Sequence, residues 1–203
     1  MRDTVYMLVF DGFADWQTAL ALCEVRRPGD WQVRTVGFSR RPVLSMGGLQ
    51  VQPDLTLDEL DPLRAAMLIV PGGHRWERSE DAAATVAVRR LHIAGAVVAA
   101  IGSATLVLAR AGLLDHCRYA SDDYFDRQVG AYTGAGHYDA RALALCDGGI
   151  LSARAIGSVE FAREVIRALD LYNASDREYW YRWFRHALPP PWLAPPLSVV
   201  EAA

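Results

Sequence analysis

No stretch of this 203-residue chain strings together the roughly 18 apolar residues that a membrane-spanning helix needs. Neither sign of charge dominates. The 21 basic and 24 acidic side chains leave a formal net charge of -3, which argues against nucleic acid and against an anionic membrane, since both favour a basic face. The arginines are interleaved with acids, as on a solvated surface. Cysteine is scarce: Cys23, Cys117 and Cys146 are odd in number, form no CxxC pair and lack metal-ligand spacing. That pattern fits a reducing compartment better than a disulfide framework. Cys23 and Cys146 lie in apolar runs and are expected to be small buried hydrophobes. Nothing beside Cys117 marks it as activated. The opening "MRDTVYMLVF" is broken by Asp11-Gly12 too soon for a signal peptide. Internal repeats are missing as well. The expectation is a cytoplasmic protein with no membrane or nucleic-acid partner, and no metal or cofactor is implied.

What is present is a globular composition, 52% hydrophobic and 22% charged, in a length that suits one domain with a sizeable core. That domain is expected over 1–188, followed by a proline-rich arm or tail over 189–203. Val5 to Phe10 is a continuous apolar run closed by "DGF", the pattern of a buried strand. Ala14 to Val25 predicts a helix that buries Trp16, Ala19, Leu20 and Cys23, with Asp15 as its cap. "WQVRTVGF" predicts a second strand, "RPVLSMGGLQVQPD" a hairpin about Gly47-Gly48, and "AAMLIVPGG" a third buried strand. "LTLDELDP" reads as a short helical turn. A helix follows over 81–94, then a strand over Val97 to Ile101 and a helix from Ser103 to Ala111. "ALALCDGGILSAR" is a hairpin, and two further helices lie in "SVEFAREVIRALDL" and "ASDREYWYRWFRHAL".

Buried strands alternating with helices mean an α/β fold, a flavodoxin-like three-layer sandwich with a mostly parallel sheet. Ligands in such folds bind beyond the carboxyl ends of the strands. Those ends are Asp11-Gly12, Pro71-Gly72-Gly73-His74 and Gly102-Ser103, so three glycine-containing corners converge on one edge.

At these corners the chain resembles the PfpI / DJ-one superfamily, with its class I glutamine-amidotransferase-like fold. The matching pieces are "LVFDGFADWQTAL", "SMGGLQVQPD", "LIVPGGHRW", "AAIGSATLVLARAGLL" and "ILSARAIGSVEFAREVI", in order over roughly residues 4 to 185. Similarity to the bacterial protease/amidase-like branch implies a cysteine at the strand-to-helix elbow, in a string like A-I-C-G-A-T; this chain reads "AIGSAT", placing Gly102 there. The family's glutamate, in a string like A-D-W-E, is Gln17. A histidine that the branch often carries after the elbow helix is Tyr119. Arg154, Ile156 and Ser158 replace small or polar residues near the pocket. The resemblance therefore implies a small-molecule pocket, a homodimer, as is common in the superfamily, and loss of the cysteine-dependent amidase and glyoxalase-like activities. A thiolate is the nucleophile in that chemistry, and glycine has none. Gln17 is the neutral isostere of an acid left without its thiol.

Two function classes follow. One is a rebuilt lyase, hydratase, isomerase or cyclase that polarises a small carbonyl or heteroatom-rich metabolite through backbone N–H groups. The other is a non-catalytic binding or regulatory relative, and residual hydrolysis through Ser103 or Cys117 is the remaining alternative. Candidate catalytic residues are Gln17, Gly102, Ser103 and His74; candidate substrate contacts are Asp15, Gly72, Gly73, Tyr119, Asp122 and Arg154. Each has a structural reading beside it. Ser103 suits an N-terminal helix cap, His74 an exposed rim, and Asp122 with Asp123 the cap of a helix in "YFDRQV". Arg154 could pair with Asp122 or receive a carboxylate. His92, His116, His137 and His186 carry little signal. Tyr179, Trp180, Tyr181, Trp183 and Phe184 exceed what one buried helix stripe requires, so an interface or pocket wall competes with core packing. A degenerate pocket is expected to be filled by Ile156 and its neighbours.

Overall fold

The computed structural model describes residues 2–78, 82–122 and 132–192. In chain order the elements are β1 (Thr4–Leu8), α1 (Asp15–Arg26), β2 (Gln32–Gly37), β3 (Val43–Leu44), β4 (Gln50–Val51), β5 (Leu55–Thr56) and β6 (Ala65–Val70). They continue as α2 (His74–Glu77), α3 (Ala82–Ile93), β7 (Val97–Ile101), α4 (Thr105–Arg110), β8 (Ala144–Asp147), β9 (Ile150–Ala153), α5 (Ser158–Ala168) and α6 (Ala174–His186). Seven strands form one sheet in the order β5-β2-β1-β6-β7-β9-β8, parallel except for the β8–β9 hairpin. β3 and β4 pair separately as a short antiparallel ribbon.

The strands β1 and β6 are buried at every position, because helices cover both faces of a parallel sheet. On one face Val25 of α1 and Phe161, Val165 and Ile166 of α5 pack against Val5, Met67 and Ile69. On the other, Val88 and Leu91 of α3 and Leu106 of α4 pack against Leu8, Leu68 and Val98. The expected three-layer α/β sandwich is therefore what forms. Among the described residues no helix is long and apolar enough to cross a membrane.

Helix α1 departs from the expected face. It buries Gln17, Thr18, Ala21, Glu24 and Val25, while Trp16 is 51% exposed and Cys23 is exposed. Apolar spacing misplaces the stripe because two buried polar residues have partners. Gln17 accepts from a backbone amide (below), and Glu24 accepts from Arg27 Nη2 and from the Tyr172 hydroxyl, each at 2.8 Å. Cys146 is exposed too, on edge strand β8, whereas Cys117 is the buried cysteine. Asp15 is the first helical residue rather than the cap, which falls at Ala14. Its carboxylate accepts from Ser45 Oγ at 2.9 Å and Gly47 N at 3.1 Å, tying α1 to the β3–β4 ribbon.

The edge strand β5 is held by a capping box that closes the turn after it, in which Glu59 accepts from the Thr56 amide and hydroxyl and from Arg40. The Arg40 guanidinium, and then the Thr56 groups, bring the Glu59 carboxyl down to about 2. Arg64 lowers Asp3 in the same way. A carboxyl whose folded value is depressed contributes stability above its ordinary value, and that contribution is lost as pH falls through the folded one. Stability should therefore decline between about pH 4.5 and 2. Glu59→Gln should flatten that part of the urea-midpoint-against-pH curve and do little at pH 7 in high salt, where exposed pairs are screened.

Candidate functional site

Three corners meet at the carboxyl edge of the sheet. The first is the turn after β1 that leads into α1. The second is Pro71-Gly72-Gly73 after β6, and the third is Gly102, where β7 turns through a short 3-10 segment into α4. Gly102 has φ +63°, inside the left-handed region that glycine enters without a Cβ penalty. The backbone is thus a tight strand-to-helix elbow that sets residue 102 at the head of a helix, where it is buried. Thr105 Oγ1 donates to Gly102 O at 2.6 Å and pairs with Ser121 Oγ at 2.9 Å, which anchors the elbow from behind.

Gln17 fills the space in front. It is 4% exposed, and its Oε1 accepts the Gly72 N–H at 2.8 Å. A Cβ built on Gly102 would lie 2.8 Å from Gln17 Nε2 and 3.3 Å from Ala155 Cβ. One built on Gly72 would lie 2.7 Å from Gln17 Oε1. The carboxamide is therefore wedged between two glycines, and Ala155 closes over the elbow. Among the described contacts Gln17 Nε2 donates to no protein group.

Ser103 does not cap its own helix. Its Oγ accepts the Gly73 N–H at 3.0 Å and donates to Gly73 O at 3.1 Å. That double contact staples the β6 corner to the elbow, and it consumes both the hydroxyl proton and the Gly73 amide. The amides of Gly72 and Gly73 are thus engaged inside the protein, which corrects the expectation that the Gly73 amide polarises a ligand. His74 opens α2 with its side chain 75% exposed and Nδ1 3.3 Å from Glu77 Oε2. It stands on the rim, apart from Gln17 and Ser103 in the described hydrogen bonds.

The segment after the elbow helix is a supporting wall. Tyr119 is 2% exposed, joins the core, bonds to the Tyr132 hydroxyl and stacks at a tilt on Tyr138 with centroids 5.5 Å apart. Arg154 donates through Nε to Ser121 O at 3.1 Å and through Nη2 to the Tyr138 hydroxyl at 2.7 Å. Asp122 accepts the Ala155 N–H through Oδ2 at 3.1 Å and so helps to hold the cover of the elbow in place. Asp123 and "YFDRQV" up to residue 131 lie outside the described residues. Ile156 is 76% exposed and fills nothing; Ala155 is the neighbour that meets Gly102. The Ser158 hydroxyl, at the start of α5, is buried without a hydrogen-bond partner.

Cys117 accounts for no chemistry here. Burial, and then the Asp147 carboxylate, push its thiol up to about 11, the opposite of an activated cysteine. Among the described residues no group of three or more His, Cys, Asp or Glu is placed to hold a metal. Sequence reasoning missed Ala155, Thr105 and Ser121. Thr105 carried a signal, since a hydroxyl three residues into a helix often bonds back to a carbonyl. Ala155 carried none.

A mostly parallel sheet with three glycine corners at its carboxyl edge, one of them a left-handed elbow, defines an α/β protein of the flavodoxin-like kind. The profile of the DJ-1/PfpI family matches residues 3–168, and the chain belongs to that family. It is 29% identical over 187 residues to "Uncharacterized protease YoaZ" of Bacillus subtilis (strain 168), covering 88% of this chain and 89% of that protein. It is 29% identical over 168 residues to "Deglycase TK1284" of Thermococcus kodakarensis, covering 81% of this chain and 98% of that one. The crystal structure of the thiJ/pfpI family protein from Bacillus anthracis superposes with a TM-score of 0.86 at 28% identity, over 93% of this chain and 94% of that one.

Proposed function

We propose that the elbow is a small-molecule site that works by hydrogen bonding, without a covalent thiol intermediate. Its chemistry is that of a lyase, hydratase, isomerase or cyclase acting on a compact carbonyl compound, rather than the proteolysis or deglycation for which two relatives are named. The observation that carries this is the position of Gln17. Its Nε2 lies 2.8 Å from where a side chain on residue 102 would begin, and it donates to no described group. A donor there is placed to bind a substrate oxygen, with the first amides of the turn into α4 adding to it. Taking Gly102 as the position where the resemblance puts the family cysteine, no nucleophile remains. Ser103 is committed to Gly73, and the Cys117 thiol is held protonated.

In this reading Gln17 and the Gly102–Ser103 backbone touch substrate. His74 guards the rim, and Arg154, Asp122 and Tyr119 hold the covering wall. A purely binding role is the second reading, favoured by the internal engagement of the Gly72 and Gly73 amides. We further propose one domain over 1–188, working in the cytoplasm as a homodimer. The exposed side chains of Trp16 and Leu49, which line an apolar cavity of about 370 Å3, support the dimer.

The test uses the side-chain amide spectrum, which is sparse because the chain has five glutamines and one asparagine. Titration with small aldehydes, ketones and α-keto acids should move the Gln17 Nε2 resonances saturably. Intact-mass measurement during incubation should show no added mass. A stable adduct on Ser103 or Cys117, or amide hydrolysis that Gly102 and Gln17 variants leave unchanged, would overturn the proposal. Saturable binding with no chemical change in any compound would favour the binding role.

A further inference from the structure

At the other end of α1 from Gln17 lies a cavity of about 320 Å3 that the elbow chemistry does not use. That volume is at the small end for ligand pockets and suits a compact metabolite. Five aromatic side chains line it, those of Tyr172, Tyr179, Trp180, Trp183 and Trp192, so three of the six tryptophans of the chain gather at one place. Trp180 is buried, with its Nε1–H unpaired, whereas Trp183 is 44% and Trp192 65% exposed. Exposed rings that are clustered, rather than scattered singly, mark a surface that binds something.

Geometry and charge select the same kind of ligand. Tyr179 and Trp192 meet at 80° with centroids 5.2 Å apart. Two lining rings at right angles make a re-entrant corner, and a body seated in it meets a face of each. A ring face carries the negative part of the quadrupole and attracts cations. The charged side chains of the lining are Glu24, Arg27 and Asp176. Arg27 Nη2 donates to Glu24 Oε1 at 2.8 Å, and the Tyr172 hydroxyl donates to Glu24 Oε2 at 2.8 Å, so the charges of Glu24 and Arg27 cancel and both Glu24 oxygens are engaged. Asp176 is left over. Its Oδ2 accepts from the Asn173 side-chain amide at 2.7 Å, and its Oδ1 accepts from no described group. The lining therefore holds one negative charge in excess.

An anion meets the wrong sign here, from the ring faces and from Asp176 alike. A primary ammonium brings three N–H donors, and aromatic rings offer too few acceptors to replace the water it gives up. A quaternary ammonium has no N–H to satisfy. Its charge is spread over methyl groups that pack against rings, which is how aromatic cages hold choline-like ligands. We propose that this cavity binds a small free metabolite bearing a quaternary ammonium group, its methyl groups among the lining rings and its charge balanced by Asp176. This does not depend on the reading of the elbow.

The test titrates the full chain with choline chloride at constant ionic strength, followed by tryptophan fluorescence and calorimetry. Saturable binding is expected. The alcohol 3,3-dimethylbutan-1-ol has the shape of choline without its charge, and it should bind at least about fivefold more weakly. Asp176→Asn keeps the shape of the side chain and removes its charge, and should weaken choline binding about fivefold. Trp183→Leu replaces an exposed ring by an apolar side chain without a π face, and should weaken it by a similar factor. The comparison of choline with the alcohol uses the unaltered chain, so it decides even if a variant fails to fold. Absence of saturable choline binding, equal affinity for the alcohol, or choline affinity unchanged in both variants would overturn the proposal. Sedimentation with phosphatidylcholine vesicles separates a free ligand from a lipid headgroup: the protein should stay in the supernatant, and its pelleting with the vesicles would overturn the assignment to a free metabolite.

Discussion

Gly102→Cys is expected to yield a folded but weaker protein that gains an alkylatable thiol and no thiol-dependent turnover. Two costs are added at once. A residue with a Cβ held at φ +63° loses roughly 1–2 kcal/mol relative to glycine. Its Cβ would also stand 2.8 Å from Gln17 Nε2. The carboxamide must then swing aside, and the Gly72 N–H risks losing its acceptor, a further loss of about 1–3 kcal/mol. The sum, about 2–5 kcal/mol, corresponds to a Tm lower by roughly 4–20 °C in a protein of this size. Adding Gln17→Glu should not recover amidase or glyoxalase-like turnover, because Ala155 still closes over the elbow at 3.3 Å. Thermal melts and an activity screen on both variants check this. A single variant as stable as the parent would contradict the placement of Gln17, and recovered turnover would show that only the thiol is missing.

Gly73→Ala should be the more damaging change, although it adds only a methyl group and involves no left-handed backbone. The new Cβ would lie 2.7 Å from Phe10 Cε2 and 2.9 Å from the Gly12 carbonyl oxygen. Neither can retreat. Phe10 is 2% exposed and packs edge to face on Trp76 at 4.7 Å, and the carbonyl belongs to the backbone. Overpacking of this kind costs about 1–3 kcal/mol or more. Displacing the corner also breaks the paired contacts of Gly73 with Ser103, at about 1 kcal/mol each. A loss of about 3–5 kcal/mol is expected, near the upper end for one substitution. Ser103→Ala isolates the second part and should lose about 1–3 kcal/mol, since it leaves a buried Gly73 N–H unpaired. Denaturant melts on the two variants separate the terms; a Gly73→Ala midpoint close to wild type would refute the crowded corner.

Much of the site was legible because position along the chain is enough to bring strand ends together. Gly72, Gly73, Gly102 and Ser103 were expected at one edge, and they meet there. What each polar atom does was not legible. Ser103 looked like a helix cap until the β6 corner came within 3.0 Å of it. Asp15 looked like one too, until Ser45 and Gly47 arrived from a hairpin thirty positions away in sequence. Arg154 and Tyr119 read as pocket groups, yet their described partners are Ser121, Tyr138 and Tyr132.

The order and type of the buried strands, the covering helices and the glycine at the elbow were written in the sequence itself. Apolar runs and glycine positions act locally, so their consequences can be read without coordinates. The buried faces of Gln17 and Glu24, the cover supplied by Ala155 and the unpaired Trp180 N–H were decided only when distant segments closed on one another. A polar side chain tolerates burial when a partner meets it, and that partner is chosen by the fold, not by its neighbours in the chain.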